Sequence, residues 1–172
     1  MKKIILLGYM GCGKSTIAKL LANSISISYL DLDEIIEKHE NCSIKKLFSE
    51  KGEIYFRKLE HQILAKLIQN SDSYILSLGG GTPCYSNNHE FLKSEGVISI
   101  YLNASVSTLY ERLLNPNDER PLIANKNPED RKEFIAKNLF DRSFYYNQAH
   151  YKINVDGKSP EEIVSEIVAI LA

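Results

Sequence analysis

Gly8-Tyr9-Met10-Gly11-Cys12-Gly13-Lys14-Ser15 is the stretch on which the fold reading turns. It satisfies G-x-x-x-x-G-K-[ST] in full. Before it stands Lys3–Leu7, apolar after its first residue and too short for a helix, which reads as a buried strand. After it, Ile17, Leu20, Leu21 and Ile25 recur at helical spacing from Lys14 onward. A glycine-rich turn between strand and helix lets successive backbone N–H groups curl around a polyphosphate, with the helix N-terminus adding its partial positive charge. Lys14 supplies a point charge for the β- and γ-phosphates of ATP, and the Ser15 hydroxyl is a candidate Mg²⁺ ligand. An accidental match in a chain of this composition is expected with a chance of roughly 0.5%, before the flanking strand and helix are required.

The same alternation runs outward from the loop. Residues 28–32, 74–78, 97–102 and 151–155 read as further short strands. A long helical region follows the second strand and breaks near Gly52; beyond the break Ile54, Leu59, Ile63, Leu64, Leu67 and Ile68 form an apolar face. A helix is predicted over 105–113, and residues 115–127, with Pro116 and Pro121, read as a mobile lid loop. Asn127-Pro128-Glu129 has the chemistry of a helix start, and Ser159-Pro160-Glu161-Glu162 that of a capping box, turning Ile163, Ile167, Ile170 and Leu171 inward. Strands alternating with helices, with no hairpin signal, predict a three-layer α/β/α fold around a five-stranded parallel sheet, in one domain spanning 1–172.

Composition narrows the partners. The 172 residues carry 21 Lys plus Arg against 22 Asp plus Glu, a net charge of −1. Duplex nucleic acid and anionic membranes select clearly basic domains, so neither is an expected partner, and any anion chemistry must be local. No run approaches the ~18 apolar residues of a membrane span, and the apolar N-terminal stretch stops at Gly8 without a cleavage site. Cys12, Cys42 and Cys84 have no paired spacing, which suits a reducing cytoplasm. Cys12, beside a helix N-terminus, is a candidate reactive thiol without a role in turnover. His39, His61, His89 and His150 lack metal-ligand spacing and read as ordinary surface or core residues.

A phosphate loop alone does not separate a kinase from a switch. Asp31 and Asp33 stand two apart at the end of the second strand, so an extended backbone would put both on one face, toward a ligand crevice at the carboxyl edge of the sheet. One could hold a water on Mg²⁺ and the other accept the proton of an attacking hydroxyl; the plain alternative is that they cap the next helix. Gly79-Gly80-Gly81 ends the third strand at the same edge and permits close approach of a ligand. Only five of the 21 basic residues are Arg, namely Arg57, Arg112, Arg120, Arg131 and Arg142. Their planar forks suit carboxylate or phosphate. Arg120 sits in the lid loop, Arg57 beside aromatic residues, and Arg131 in a charged stretch that reads as solvated.

In this combination and order the chain resembles the shikimate kinase family, within the nucleoside-monophosphate-kinase-like group of phosphate-loop folds. The resemblance runs nearly end to end, on the phosphate loop through Thr16, Asp31-Leu32-Asp33, Gly52-Glu53 with Phe56-Arg57, Leu78 with the three glycines, Arg120-Pro121-Leu122, Arg142 with Tyr146, and Pro160. It implies that Gly11, Cys12, Gly13, Lys14, Ser15 and Thr16 bind the ATP phosphates, that Ser15 ligates Mg²⁺ and that Asp31 holds it through water. It implies that Asp33 binds the shikimate hydroxyls and acts as base, with helices around 33–62 forming the acceptor side. Arg57 and Arg142 would clamp the shikimate carboxylate beside Gly79, Gly80 and Gly81. Arg120 would approach the ATP phosphates from the lid, with Lys14, Asp33 and Arg120 as the catalytic set, and Arg112 and Pro160 would lie near the adenine. The family often reads R-x-P-x-Y where this chain has Phe144 in the proline's place. The implied protein is a cytoplasmic monomer; the rival readings are another small-molecule kinase, such as a gluconate kinase, and a non-catalytic nucleotide-binding switch.

Overall fold

The computed structural model describes residues 2–114 and 127–172. The lid reading of 115–126, and Arg120 within it, lie outside the described residues.

Lys3–Leu7 forms β1, buried at every position because strands lie on both sides of it and helices cover both faces. β2 (Ser28–Asp31), β3 (Tyr74–Ser77), β4 (Val97–Asn103) and β5 (Tyr151–Asn154) complete a sheet of order β2-β3-β1-β4-β5. Every pairing is parallel, with Lys3 opposite Tyr74 on one side and Val97 on the other. The helices are α1 (Lys14–Ile25), α2 (Leu32–Glu40), α3 (Ile44–Gln69), α4 (Val106–Leu113), α5 (Pro128–Tyr146) and α6 (Pro160–Leu171). The predicted three-layer architecture is the observed one. The connections diverge from β1, going to β2 and β3 on one side and to β4 and β5 on the other. That opens a crevice where the phosphate loop leaves the sheet.

Local signals explain where the helices begin. Asn127 Oδ1 accepts from the Asp130 amide ahead of Pro128. Ser159 and Glu162 form the reciprocal capping box. Inward-facing Ile163 and Ile167 of α6 are joined by Val164, whereas Ile170 and Leu171 are only half-buried. Residues 82–93 hold two short 3₁₀ turns, Thr82–Cys84 and Asn88–Lys93, that no periodicity in the sequence announces.

One sequence reading is corrected. β2 stops at Asp31, because Asp31 caps α2 and Leu32 already belongs to the helix; Asp31 and Asp33 are therefore not alternate residues of one strand. The expected break in the long helical region is present: two helical runs of α3 meet at Gly52, which adopts φ 80° and ψ 170°. That backbone region is essentially confined to glycine.

No atom lies within 4 Å of a Cβ built at Gly52, so its replacement is strained by backbone torsion alone. Gly52→Ala is expected to lower the unfolding free energy by about 1–3 kcal/mol with an unchanged denaturant slope. A urea titration checks this; an unshifted midpoint would show that the kink is not fixed by the residue at 52.

Candidate active site

Two cations shape the phosphate loop from inside. Lys14, almost fully buried, donates through Nζ to the carbonyls of Gly8 (2.8 Å) and Tyr9 (3.0 Å). Arg112 reaches across from α4 to the carbonyls of Gly11 (3.3 Å) and Cys12 (3.2 Å). Four carbonyl oxygens are thereby tied to cations. Gly13 precedes α1 without any side-chain cap, which leaves the first amides of that helix without a side-chain partner from its own cap. Cys12 disappoints as a reactive thiol. It is 1% exposed, and its amide closes a turn onto the Tyr9 carbonyl.

Asp31 caps α2, as the plainer reading of it expects, and has a second oxygen turned to other partners. Oδ1 caps α2, accepting from the amides of Asp33 (2.9 Å) and Glu34 (3.2 Å). Oδ2 accepts from Ser15 Oγ (3.3 Å) and Tyr29 OH (3.1 Å), and so faces the phosphate loop. Asp33, in the first turn of α2, points into the same cleft. Burial, with Asp31 and Glu60 nearby, raises its pKa to about 6, and Lys14 opposes the shift only in part.

The three glycines gather the acceptor-side residues. A Cβ built on Gly79 would stand 3.2 Å from Asp33 Oδ1, one on Gly80 would stand 3.4 Å from Arg142 Nη1, and one on Gly81 only 2.8 Å from Arg57 Nη2. A side chain at 81 would push the Arg57 fork aside, and one at 79 would crowd Thr82 Oγ1 (3.0 Å) as well as Asp33. Gly80 also abuts the phosphate loop, its hypothetical Cβ 3.3 Å from the Met10 amide nitrogen. Tyr146 OH donates to the Gly80 carbonyl at 2.6 Å, tying the end of α5 to the turn. Arg142 lies over the Tyr9 ring, and its Nη1 is buried without a hydrogen-bond partner among the described residues.

A cleft of about 530 Å³ is lined by Gly11, Gly13, Lys14, Ser15, Thr16, Asp31, Asp33, Gly79, Gly80 and Arg112, with Met10, Ser77 and Leu78. Arg57, Gly81 and Arg142 are not among its lining residues: both guanidinium groups lie against the glycine turn, and Arg57 lines a second groove beside Tyr85. Pro160 is not among the lining residues; it opens α6. Among the described residues there is no cluster of three or more His, Cys, Asp or Glu placed to hold a metal, and no helix long and apolar enough to cross a membrane. His61 and His150 make structural hydrogen bonds, to Asn88 and Ser99 respectively.

Sequence reasoning missed Glu60. It pairs with Arg57 at 2.9 Å and is 1% exposed. Its i,i+3 spacing from Arg57 on a helix was the available signal. Tyr9 was also passed over, for lack of any motif that marks it.

Comparison with known proteins agrees with this geometry. A family model described as shikimate kinase matches residues 10–172. A shikimate kinase from Flavobacterium johnsoniae is 57% identical over 172 residues, 100% of each chain. The crystal structure of a shikimate kinase from Bacteroides thetaiotaomicron superposes with a TM-score of 0.90 at 32% identity, covering 99% of this chain and 98% of that one. A shikimate kinase from Acinetobacter baumannii in complex with shikimate gives a TM-score of 0.86 at 30% identity, covering 99% and 93%.

The position of Asp33 has a pH signature in the free protein. Its native pKa near 6 exceeds the ordinary 3.8. Between those values the folded state keeps a proton that the unfolded chain has released, so this residue's contribution to stability declines as pH rises through that window. Asp33→Asn is therefore expected to stabilise the free protein by about 2 kcal/mol at pH 7 and by much less near pH 4. Denaturant titrations at both pH values decide it; equal effects at the two would show that Asp33 is not held as described.

Proposed function

We infer, from a chain that belongs to the shikimate kinase family and from the cleft it carries, that it transfers the γ-phosphoryl group of ATP to the 3-hydroxyl of shikimate. The observation that carries this reading is the convergence of Asp33, Arg57 and Arg142 on the three-glycine turn, against the wall shared with the phosphate loop.

The chemistry divides among the residues as follows. Arg57 and Arg142 present guanidinium N–H groups to the shikimate carboxylate, Arg142 with a donor that has no partner in the described protein. Asp33 holds the acceptor hydroxyl and takes its proton as the oxygen–phosphorus bond forms and the bond to the leaving ADP oxygen breaks. A carboxylate with a pKa near 6 is ionised at neutral pH yet basic enough for this. Lys14 exchanges its carbonyl partners for phosphate oxygens, Arg112 lies toward the base, and the loop amides receive the remaining phosphate oxygens. Because phosphoryl transfer passes through a loose transition state, positioning and charge stabilisation outweigh proton removal.

Ser15 Oγ and Asp31 Oδ2, 3.3 Å apart, offer the hydroxyl and carboxylate oxygens that suit Mg²⁺, which keeps most of its waters and shares itself with phosphates. When bound, the ion neutralises part of the charge on the β- and γ-phosphates. That only two oxygens are offered fits such a shared ion better than a closed protein cage. The working unit in this reading is a monomer. Three free cysteines favour a reducing cytoplasm.

An ADP-release assay with shikimate, gluconate and AMP as acceptors tests the substrate. Turnover is expected with shikimate and not with the other two; activity with gluconate alone would transfer the assignment, and none with any acceptor would point to a nucleotide switch. A carboxylate held alike in ground and transition states affects KM more than kcat. Arg57→Ala is thus expected to raise the KM for shikimate about 10²-fold, with a smaller change in kcat. A collapse of kcat at unchanged KM would contradict the clamp.

A further inference from the structure

Behind Arg57 lies a chain of buried polar groups that the transfer reaction does not use directly. The Glu60 carboxylate has one oxygen on Arg57 Nη1 (2.9 Å), and its other oxygen accepts from Thr82 Oγ1 (2.8 Å). Thr82 is 0% exposed and follows the glycine turn. Its carbonyl accepts from Asn88 Nδ2 (2.9 Å), and Asn88, 1% exposed, places Oδ1 2.7 Å from His61 Nδ1. An amide oxygen can only accept, so His61 Nδ1 carries the proton in that bond. The series therefore runs from α3 through both 3₁₀ turns and back to α3, four residues beyond Arg57.

We infer that Thr82 and Asn88 are positioning residues for the carboxylate grip, setting how much of the Arg57 fork is left for the acceptor. The inference rests on the functional reading above and concerns a part of the site that reading leaves open. A buried carboxylate must have both oxygens satisfied. While the Thr82 hydroxyl satisfies one, Glu60 engages Arg57 through Nη1, and Nη2 stays against Gly81, within the glycine wall. Without the hydroxyl, the donor already bonded to this carboxylate is the guanidinium. Arg57 then turns into a two-point pair with Glu60, and the acceptor carboxylate loses donors. Asn88 acts one step further back: it holds the Thr82 carbonyl, and with it the turn that aims the hydroxyl.

This is separable from a structural role, because it predicts an acceptor-specific effect that depends on Arg57. Thr82→Val and Thr82→Ala are each expected to raise the KM for shikimate about tenfold, with kcat and the KM for ATP within about twofold, and Thr82→Ser to restore it. The alanine variant serves if the extra methyl of valine prevents folding. In an Arg57→Ala background, Thr82→Val is expected to add less than about a twofold change, because the two act in series. A wild-type KM for shikimate in both single variants overturns the inference. So does a loss shared equally by ATP and shikimate, or an undiminished effect in the Arg57→Ala background. Failure of the unsubstituted chain to phosphorylate shikimate overturns the functional reading instead.

Discussion

The Leu78 amide donates to the Leu6 carbonyl at 3.0 Å, one residue past the last position of β3. This bond continues the β1–β3 pairing into the start of the glycine turn, and the rest of the site depends on it. It delivers Gly79, Gly80 and Gly81 to the same edge at which β1 releases the phosphate loop. The two loops thus run side by side: a Cβ built on Gly80 would stand 3.3 Å from the Met10 amide nitrogen and 3.6 Å from the Gly8 carbonyl oxygen. In-line transfer needs the donor phosphorus and the acceptor oxygen held about 3 Å apart, and two loops anchored to adjacent parallel strands meet that requirement with little freedom left to freeze.

Charge is then arranged on this frame. Asp31, Asp33 and Glu60 lie near one another, and repulsion among them together with burial raises the Asp33 pKa. Lys14, Arg57, Arg112 and Arg142 oppose them, and three of the four are held without a carboxylate partner in any ion pair among the described residues. Lys14 and Arg112 hold carbonyls and Arg142 rests on an aromatic face, whereas Arg57 pairs with Glu60 through Nη1 and with Glu53 through Nε (3.5 Å). Removing a partner from a fully paired buried cation is costly. Cations held by neutral or shared partners give up less when a phosphate or carboxylate arrives. The net charge of −1 conceals this arrangement, since balance over the whole chain says nothing about where each sign is placed.

What could be read from the sequence was local. The phosphate loop, the glycine at the kink and the caps at Asn127 and Ser159 are short-range signals, and each forms as its chemistry requires. Asp31 and Asp33 line one cleft, but not by strand alternation: Asp31 is a strong helix cap, the alternative its residue type also offers, and it ends the strand it belongs to. Thr82 and Asn88 could not be found in this way. Thr82 meets Glu60 across 22 positions and Asn88 meets His61 across 27, and nothing in the intervening residues specifies either meeting. Cys12 looked reactive because its neighbours in sequence suggested a helix terminus, but the fold seals it. Proximity in the chain marks the groups proposed to hold phosphate; only the packing shows what lies behind the acceptor side.

Phe144 shows how a departure from a family pattern can be absorbed. A proline inside a helix removes a hydrogen bond and clashes with the preceding turn. With phenylalanine there, α5 runs unbroken from Pro128 to Tyr146, and the side chain at 144 is 62% exposed. The orientation of Arg142 therefore cannot come from a break in the helix. Its neighbours are Tyr146, one turn later, whose hydroxyl also donates to the Gly80 carbonyl, and the Tyr9 ring beneath the guanidinium. Tyr9 belongs to the phosphate loop and Gly80 to the acceptor turn. The arginine that would hold the acceptor is thus located by both halves of the site, while the Phe144 ring packs on His89 and Tyr145 instead.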